Sequence, residues 1–189
     1  MQIAVLDIET TGTTPRNGTI IEIGIAMLDL KTHFISKLFD SLCKEPEFLT
    51  RFEADRLENC WIFQNSTLTV KKILAAPTWD EVAPKIQRIL NKFPATTYNK
   101  AFDFGFLKAK GIKIPRELPC PMIEATPYFK LPPRIEGTEY KWPSVQECWG
   151  FLFLDYTYYT EIHRAYDDAV HEAEIIYEFF QRGIWKPNF

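Results

Sequence analysis

Three apolar segments fill residues 1–42, and the connections between them leave no room for a crossover helix. Residues 3–8 (IAVLDI) read as a strand, followed by the turn-rich TTGTTPRNG. TIIEIGIAMLDL (19–30) alternates as a second strand, and HFISKLFDSL (33–42) as a third. Neighbouring parallel strands need a long crossover, so strands joined this closely form an antiparallel meander.

Beyond the meander the pattern changes. Residues 53–63 have a weak helical pattern, and AAPT (75–78) breaks the chain. Thr78 and Glu81 have capping-box spacing and precede Val82, Ile86, Ile89 and Leu90. Pro84 conflicts with that helix, which either begins near it or kinks there. ATTY (95–98) reads as a short buried strand, AFDFGFLKAKG (101–111) as a helix stopped by Gly111, and 120–125 as a further strand. Ser144 and Glu147 form a capping box for 145–152, and the last helix covers 165–182. LPPRIEGTEYKWPS (131–144), rich in proline and charge, is the expected mobile loop. This order predicts an α/β fold: a mixed central sheet with an antiparallel three-strand meander and helices on both faces. The chain of 189 residues has no linker and no repeat, so 1–189 reads as one domain.

Composition narrows the function. Hydrophobic residues make up 46% of the chain, enough for a globular core. A net charge of −3 argues against a module that grips long duplexes through many phosphates. It does not exclude an enzyme that holds a few terminal nucleotides beside bound cations. Cys43, Cys60, Cys120 and Cys148 have no CxxC or zinc spacing and read as reduced thiols of a cytoplasmic protein. MQIAVLDIE lacks a basic region and does not read as a signal peptide. No stretch approaches the roughly 20 apolar residues of a spanning helix, so no membrane partner is expected.

Asp7 and Glu9 lie two apart on the first strand, so their side chains share a face, roughly 6.5 Å apart. Two acids side by side in an apolar strand repel each other. Either the strand end is simply acidic, or a hard cation such as Mg²⁺ lies between the carboxylates. Asp103 falls in the first turn of the 101–111 helix, where the helix dipole alone would favour an acid. His163 and Asp168 are five apart, a rotation of about 140° on an ideal helix. His163 must therefore precede or begin the last helix, with Asp168 one turn inside it. A loop imidazole can then swing over a metal held by the helix carboxylate.

Taken in order, Asp7 and Glu9 in IAVLDIETTG, Asp103 in YNKAFD, and His163 and Asp168 in HRAYDDA resemble the DEDDh family of 3′→5′ exonucleases. The resemblance runs from Ile3 to the neighbourhood of Phe180 and implies the ribonuclease H-like fold. It implies that Asp7, Glu9, Asp103 and Asp168 hold two divalent metal ions, Mg²⁺ with Mn²⁺ as a substitute. It implies that His163 is the general base of a hydrolysis releasing 5′-mononucleotides, a task suited to imidazole because its ordinary pKa is about 6.5. Asn99 and Phe102 match the family's middle block, where a histidine commonly precedes the asparagine and Tyr98 stands here instead. A sister subgroup has tyrosine four residues before the last aspartate; Arg164 stands there, so the chain resembles the histidine type.

Thr10 and Thr11, before Gly12, match a turn that touches the 3′-terminal nucleotide in relatives. The expected substrate-binding residues are thus Thr10, Thr11, Asn99 and Phe102. Phe102 and Phe106 have two readings, base stacking and core packing, and the second is the plainer. Lys100, Lys108, Lys110, Lys113 and Arg116 either guide a strand backbone or form a solvated face. Trp185 and Phe189 either dock a partner or belong to a folded-back tail. The expected partners are single-stranded DNA or RNA 3′ ends, DNA favoured, together with a polymerase or a second copy of the chain. RNA trimming and a non-catalytic binding or scaffold module stay open as rivals.

Overall fold

The structure, a computed structural model, describes residues 1–49, 57–133, 137, 139–153 and 161–188. Its strands are β1 (Gln2–Thr10), β2 (Ile20–Asp29), β3 (Phe34–Leu42) and β4 (Ala95–Thr96). Its helices are α1 (Trp61–Asn65), α2 (Val70–Leu74), α3 (Trp79–Lys92), α4 (Lys100–Ala109), α5 (Pro121–Phe129), α6 (Val145–Leu152) and α7 (Ala165–Gln181). The sheet order is β3-β2-β1-β4, with the first three strands antiparallel and β4 parallel to β1. The mixed sheet with its three-strand meander is as expected.

Strand periodicity assigns the two faces. Ala4, Leu6 and Ile8 join a core with Val82, Ile86 and Leu90 of α3 and Phe104 and Leu107 of α4. Ile3 and Val5 turn the other way, towards Ala125 of α5, Cys148 of α6 and Ile176 and Phe179 of α7. Asp7 and Glu9 continue the odd-numbered set, so they project towards α7 with Ile8 behind them.

The capping signals hold. The Glu81 carboxylate accepts from the Thr78 amide at 2.8 Å and the Thr78 hydroxyl at 2.9 Å. Ser144 and Glu147 bond reciprocally, at 2.8 and 3.2 Å. Gly111, at φ +85°, follows α4 in the left-handed conformation that stops helices. Pro84 lies inside α3, which begins five residues earlier at Trp79. The cap and the buried stripe Trp79, Val82, Ile86 and Leu90 outweigh its missing hydrogen bond.

The strand expected over 120–125 is a helix instead. Pro121 opens α5, where a fixed φ suits the first turn. Met122 and Ala125, three apart, are buried while Ile123 is 52% exposed, a helical and not an alternating pattern. Among the described residues the sheet continues past β4 through a parallel bridge between Ala95 and Glu117. Of the helix expected over 53–63, residues 53–56 lie outside the described residues; α1 occupies 61–65. In the expected loop, residues 134–136 and 138 lie outside them too, and an antiparallel bridge joins Leu131 to Lys141. Trp185 is fully buried and donates to the Pro119 carbonyl at 3.0 Å, so the tail folds back; Phe189 lies outside the described residues. Cys43, Cys60, Cys120 and Cys148 are thiols. Among the described residues no helix is long and apolar enough to cross a membrane.

Candidate active site

The acidic face of β1 meets the N-terminus of α7 because Gly24 lets it. Gly24 pairs with Asp7 in the β1–β2 register. A Cβ there would lie 2.2 Å from the Ala165 carbonyl carbon, so only glycine lets α7 seat so closely beside Asp7. The seat is locked by Arg164. Its guanidinium forks onto the buried Glu22 carboxylate at 2.7–3.1 Å, and its Nη1 donates to Thr67 Oγ1 at 3.2 Å. The same Glu22 accepts from the Ala165 amide at 3.2 Å. His163 immediately precedes this clamp at φ +53°, a left-handed conformation that side chains seldom adopt. Asp168 lies one turn inside α7 and accepts from the Arg164 amide at 3.0 Å. The loop-and-helix arrangement expected for His163 and Asp168 is the one observed.

Asp103 arrives from the opposite side. β4 pairs with β1 only as far as Val5, so the edge of β1 beyond it is open. Asp103, in the first turn of α4, fills the gap and accepts from the Ile8 amide at 3.2 Å. Its other oxygen accepts from Thr97 Oγ1 at 2.6 Å.

Asp7, Glu9, Asp103, His163 and Asp168 all line one cavity of about 180 Å³. Glu9, His163 and Asp168 can each offer a ligand atom, all within 4.8 Å of one another. Among the described residues no lysine or arginine lines the cavity. The carboxyls therefore repel one another. Burial, then the Asp168 and Glu22 charges, push Glu9 up to about 9. Burial pushes Asp103 up to about 7 against the hydrogen bonds from Thr97 and Ile8. Asp7 is raised well above the carboxylate range by burial and by Glu172, Asp103, Glu9 and Asp168. Carboxylate oxygens and an imidazole, with no lysine or arginine among the described lining residues, fit a hard divalent ion.

A pH dependence follows. These groups hold protons more tightly folded than unfolded, so metal-free stability should fall as pH rises from about 5 to 9, through the raised values. Divalent ions take deprotonated carboxylates, so their stabilising effect should grow over the same range. Melting curves in chelator and in Mn²⁺ at pH 6 and 9 test this. A metal-free melting temperature that climbs towards pH 9 would contradict it.

The expected substrate residues divide. Asn99 lines the acidic cavity, and Phe102 lies between it and a second cavity of about 230 Å³. That second cavity is lined by Thr10, Thr11, Trp61 and Ile62. The Thr10 hydroxyl donates to the Gly12 carbonyl at 2.7 Å, and the buried Thr11 hydroxyl lies 3.0 Å from that of Thr19. Phe102 also packs against the core and lies 5.1 Å from Phe106, which is fully buried. Tyr98 is core as well: its hydroxyl donates to the Pro143 carbonyl at 2.8 Å. Four of the basic residues are bound internally: Lys100 donates to the Leu118 carbonyl at 2.9 Å and lies 3.5 Å from Glu117. Lys108 pairs with Glu117, Lys110 with Glu45 and Glu47, and Arg116 with carbonyls of Asn91 and Lys92.

Three site residues escaped the sequence reading. Glu172 and Glu161 line the acidic cavity, and burial raises Glu161 to about 6. Trp61 stands edge-on to His163 at 4.6 Å and is 59% exposed. Only Glu172 had a local signal, its i+4 spacing from Asp168.

Residues 4–176 match the RNase T family model, described as exonuclease. A curated relative, the PolC-type DNA polymerase III of Clostridium perfringens, is 29% identical over 182 residues; these are 96% of this chain but 11% of that protein. Among solved structures, the nuclease domain of 3′hExo, a DEDDh family member bound to rAMP, superposes with a TM-score of 0.67 at 18% identity. It covers all of this chain and 96% of that one. E. coli exonuclease I in complex with dT13 gives 0.67 at 14% identity, covering 96% of this chain and 41% of that one. Those likenesses show the ribonuclease H-like fold. The chain belongs to the RNase T exonuclease family.

Proposed function

We propose that the chain removes nucleotides one at a time from single-stranded 3′ ends, DNA favoured, with two divalent ions. The observation that carries this reading is the convergence of Asp7, Glu9, Asp103, His163 and Asp168, from β1, α4 and the start of α7, on one cavity. Asp7, Glu9, Asp103 and Asp168 would hold the ions. When bound, such ions supply a nucleophilic water near neutral pH and stabilise the leaving 3′ oxygen. His163 takes the proton of the attacking water through its imidazole, at the mouth of α7 where the Arg164–Glu22 clamp holds the loop. The exposed Trp61 and the turn at Thr10–Gly12 line the adjoining cavity, which receives the terminal nucleoside. DNA is favoured because the curated relative is a DNA polymerase, and a polymerase is the proposed partner. The RNA reading has its own support, because a neighbour of matching length holds rAMP.

End-labelled DNA and RNA oligonucleotides of one sequence, with a circular single strand, test the proposal in Mg²⁺. Mononucleotides should be released from linear 3′ ends, faster from DNA, while the circle survives. Rapid cutting of the circle would make the protein an endonuclease.

A further inference from the structure

One buried acid of the cavity has no part in the mechanism above. Glu172 stands four residues beyond Asp168 on α7, so both carboxylates leave the helix on the same side. It is 5% exposed and lines the same cavity as Asp7, Glu9, Asp103 and Asp168. Its Oε2 accepts the Tyr98 amide at 3.1 Å, while Oε1 has no hydrogen bond among the described residues. Nor does any lysine, arginine or histidine among them form an ion pair with it. Burying a carboxylate without a cation is costly. Satisfying one backbone amide does not require a charge, since a glutamine oxygen would accept that bond equally well. The position calls for an acid, and its unbonded oxygen belongs to the cavity where cations are expected.

We propose that Glu172 is a fifth carboxylate of the metal site, anchored through Oε2 on the Tyr98 amide and presenting Oε1 to a divalent ion. The inference rests on the two-ion reading and extends it beyond the four acids carried by the family resemblance. A fifth acid adds an oxygen ligand and a negative charge, so it strengthens the hold on one ion.

The test is Mn²⁺ titration of the full chain by calorimetry without substrate, with Glu172→Gln and Glu172→Asp as variants. Wild type should bind two ions. Glu172→Gln keeps the bond to Tyr98 and loses the charge, so one of the two affinities should drop by roughly 10–100-fold, the scale of a lost supporting group. Glu172→Asp should recover part of that loss. In chelator at pH 9 the Gln variant should melt no lower than wild type, because the structural hydrogen bond remains. A Gln variant that binds both ions as wild type does overturns the inference and leaves the two-ion reading standing. So does one that misfolds or melts much lower without metal, which would assign Glu172 a structural task. A wild type that binds no Mn²⁺ overturns both.

Discussion

Replacing Asp7 with asparagine should lower the hydrolysis rate by roughly 10³–10⁴-fold. That corresponds to several kcal/mol of lost charge stabilisation at about 1.36 kcal/mol per factor of ten. Asp7 is the hub of the acidic cavity: Glu172, Asp103, Glu9 and Asp168 all act on its carboxyl. A residue so placed is the one both ions would share, so the substitution should also weaken Mn²⁺ binding. Stability should move the other way. Asparagine keeps the shape and removes a charge that is repelled from four sides. In chelator, the variant should therefore keep more of its melting temperature at pH 9 than wild type does. Single-turnover kinetics and melting curves check both halves. A rate within tenfold of wild type would remove Asp7 from the centre of the site.

His163→Ala separates proton transfer from ion binding. Loss of general-base assistance should slow the chemical step by roughly 10²–10⁴-fold. Both ions should still bind, because Asp7, Glu9, Asp103 and Asp168 are intact. The fold should survive, since the Arg164–Glu22 clamp and the Gly24 contact hold the start of α7 without the imidazole. Alanine should also tolerate the positive φ no better than histidine, so no stability gain is expected. Single-turnover rates in saturating Mg²⁺, alongside a Mn²⁺ titration, read the two effects separately. A rate within about threefold of wild type would end the general-base assignment. Loss of an ion with the imidazole would make His163 a ligand, which its distance from Glu9 and Asp168 permits.

Much of the architecture was legible because its signals are local. Alternation in β1 put Asp7 and Glu9 on one face, and helical rotation separated His163 from Asp168, both as found. The capping spacing at Ser144–Glu147 located a helix start for the same reason, because the bonds span three residues; that at Thr78–Glu81 marked another, which Pro84 left open. Residues 120–125 failed this approach. A short apolar run has no decisive period, and burial of Met122 and Ala125 against α7 and its neighbours selected the helix. Pro84 showed the reverse, a local prohibition overridden by a buried stripe. The basic stretch had two readings, a path for nucleic acid or a solvated face, and Glu45, Glu47 and Glu117 lie beside its lysines. Gly24 was one apolar-strand residue among many until α7 was seen to rest on it. Glu172 had no reading in the sequence; packing turned it into a cavity that no lysine or arginine lines among the described residues. The sequence alone determined which residues share a strand face, a helix turn or a cap, because backbone geometry repeats over two to five residues. The tertiary structure decided which charges meet and which are left with an open oxygen. That depends on elements more than a hundred residues apart, and on how close a single missing side chain lets them come.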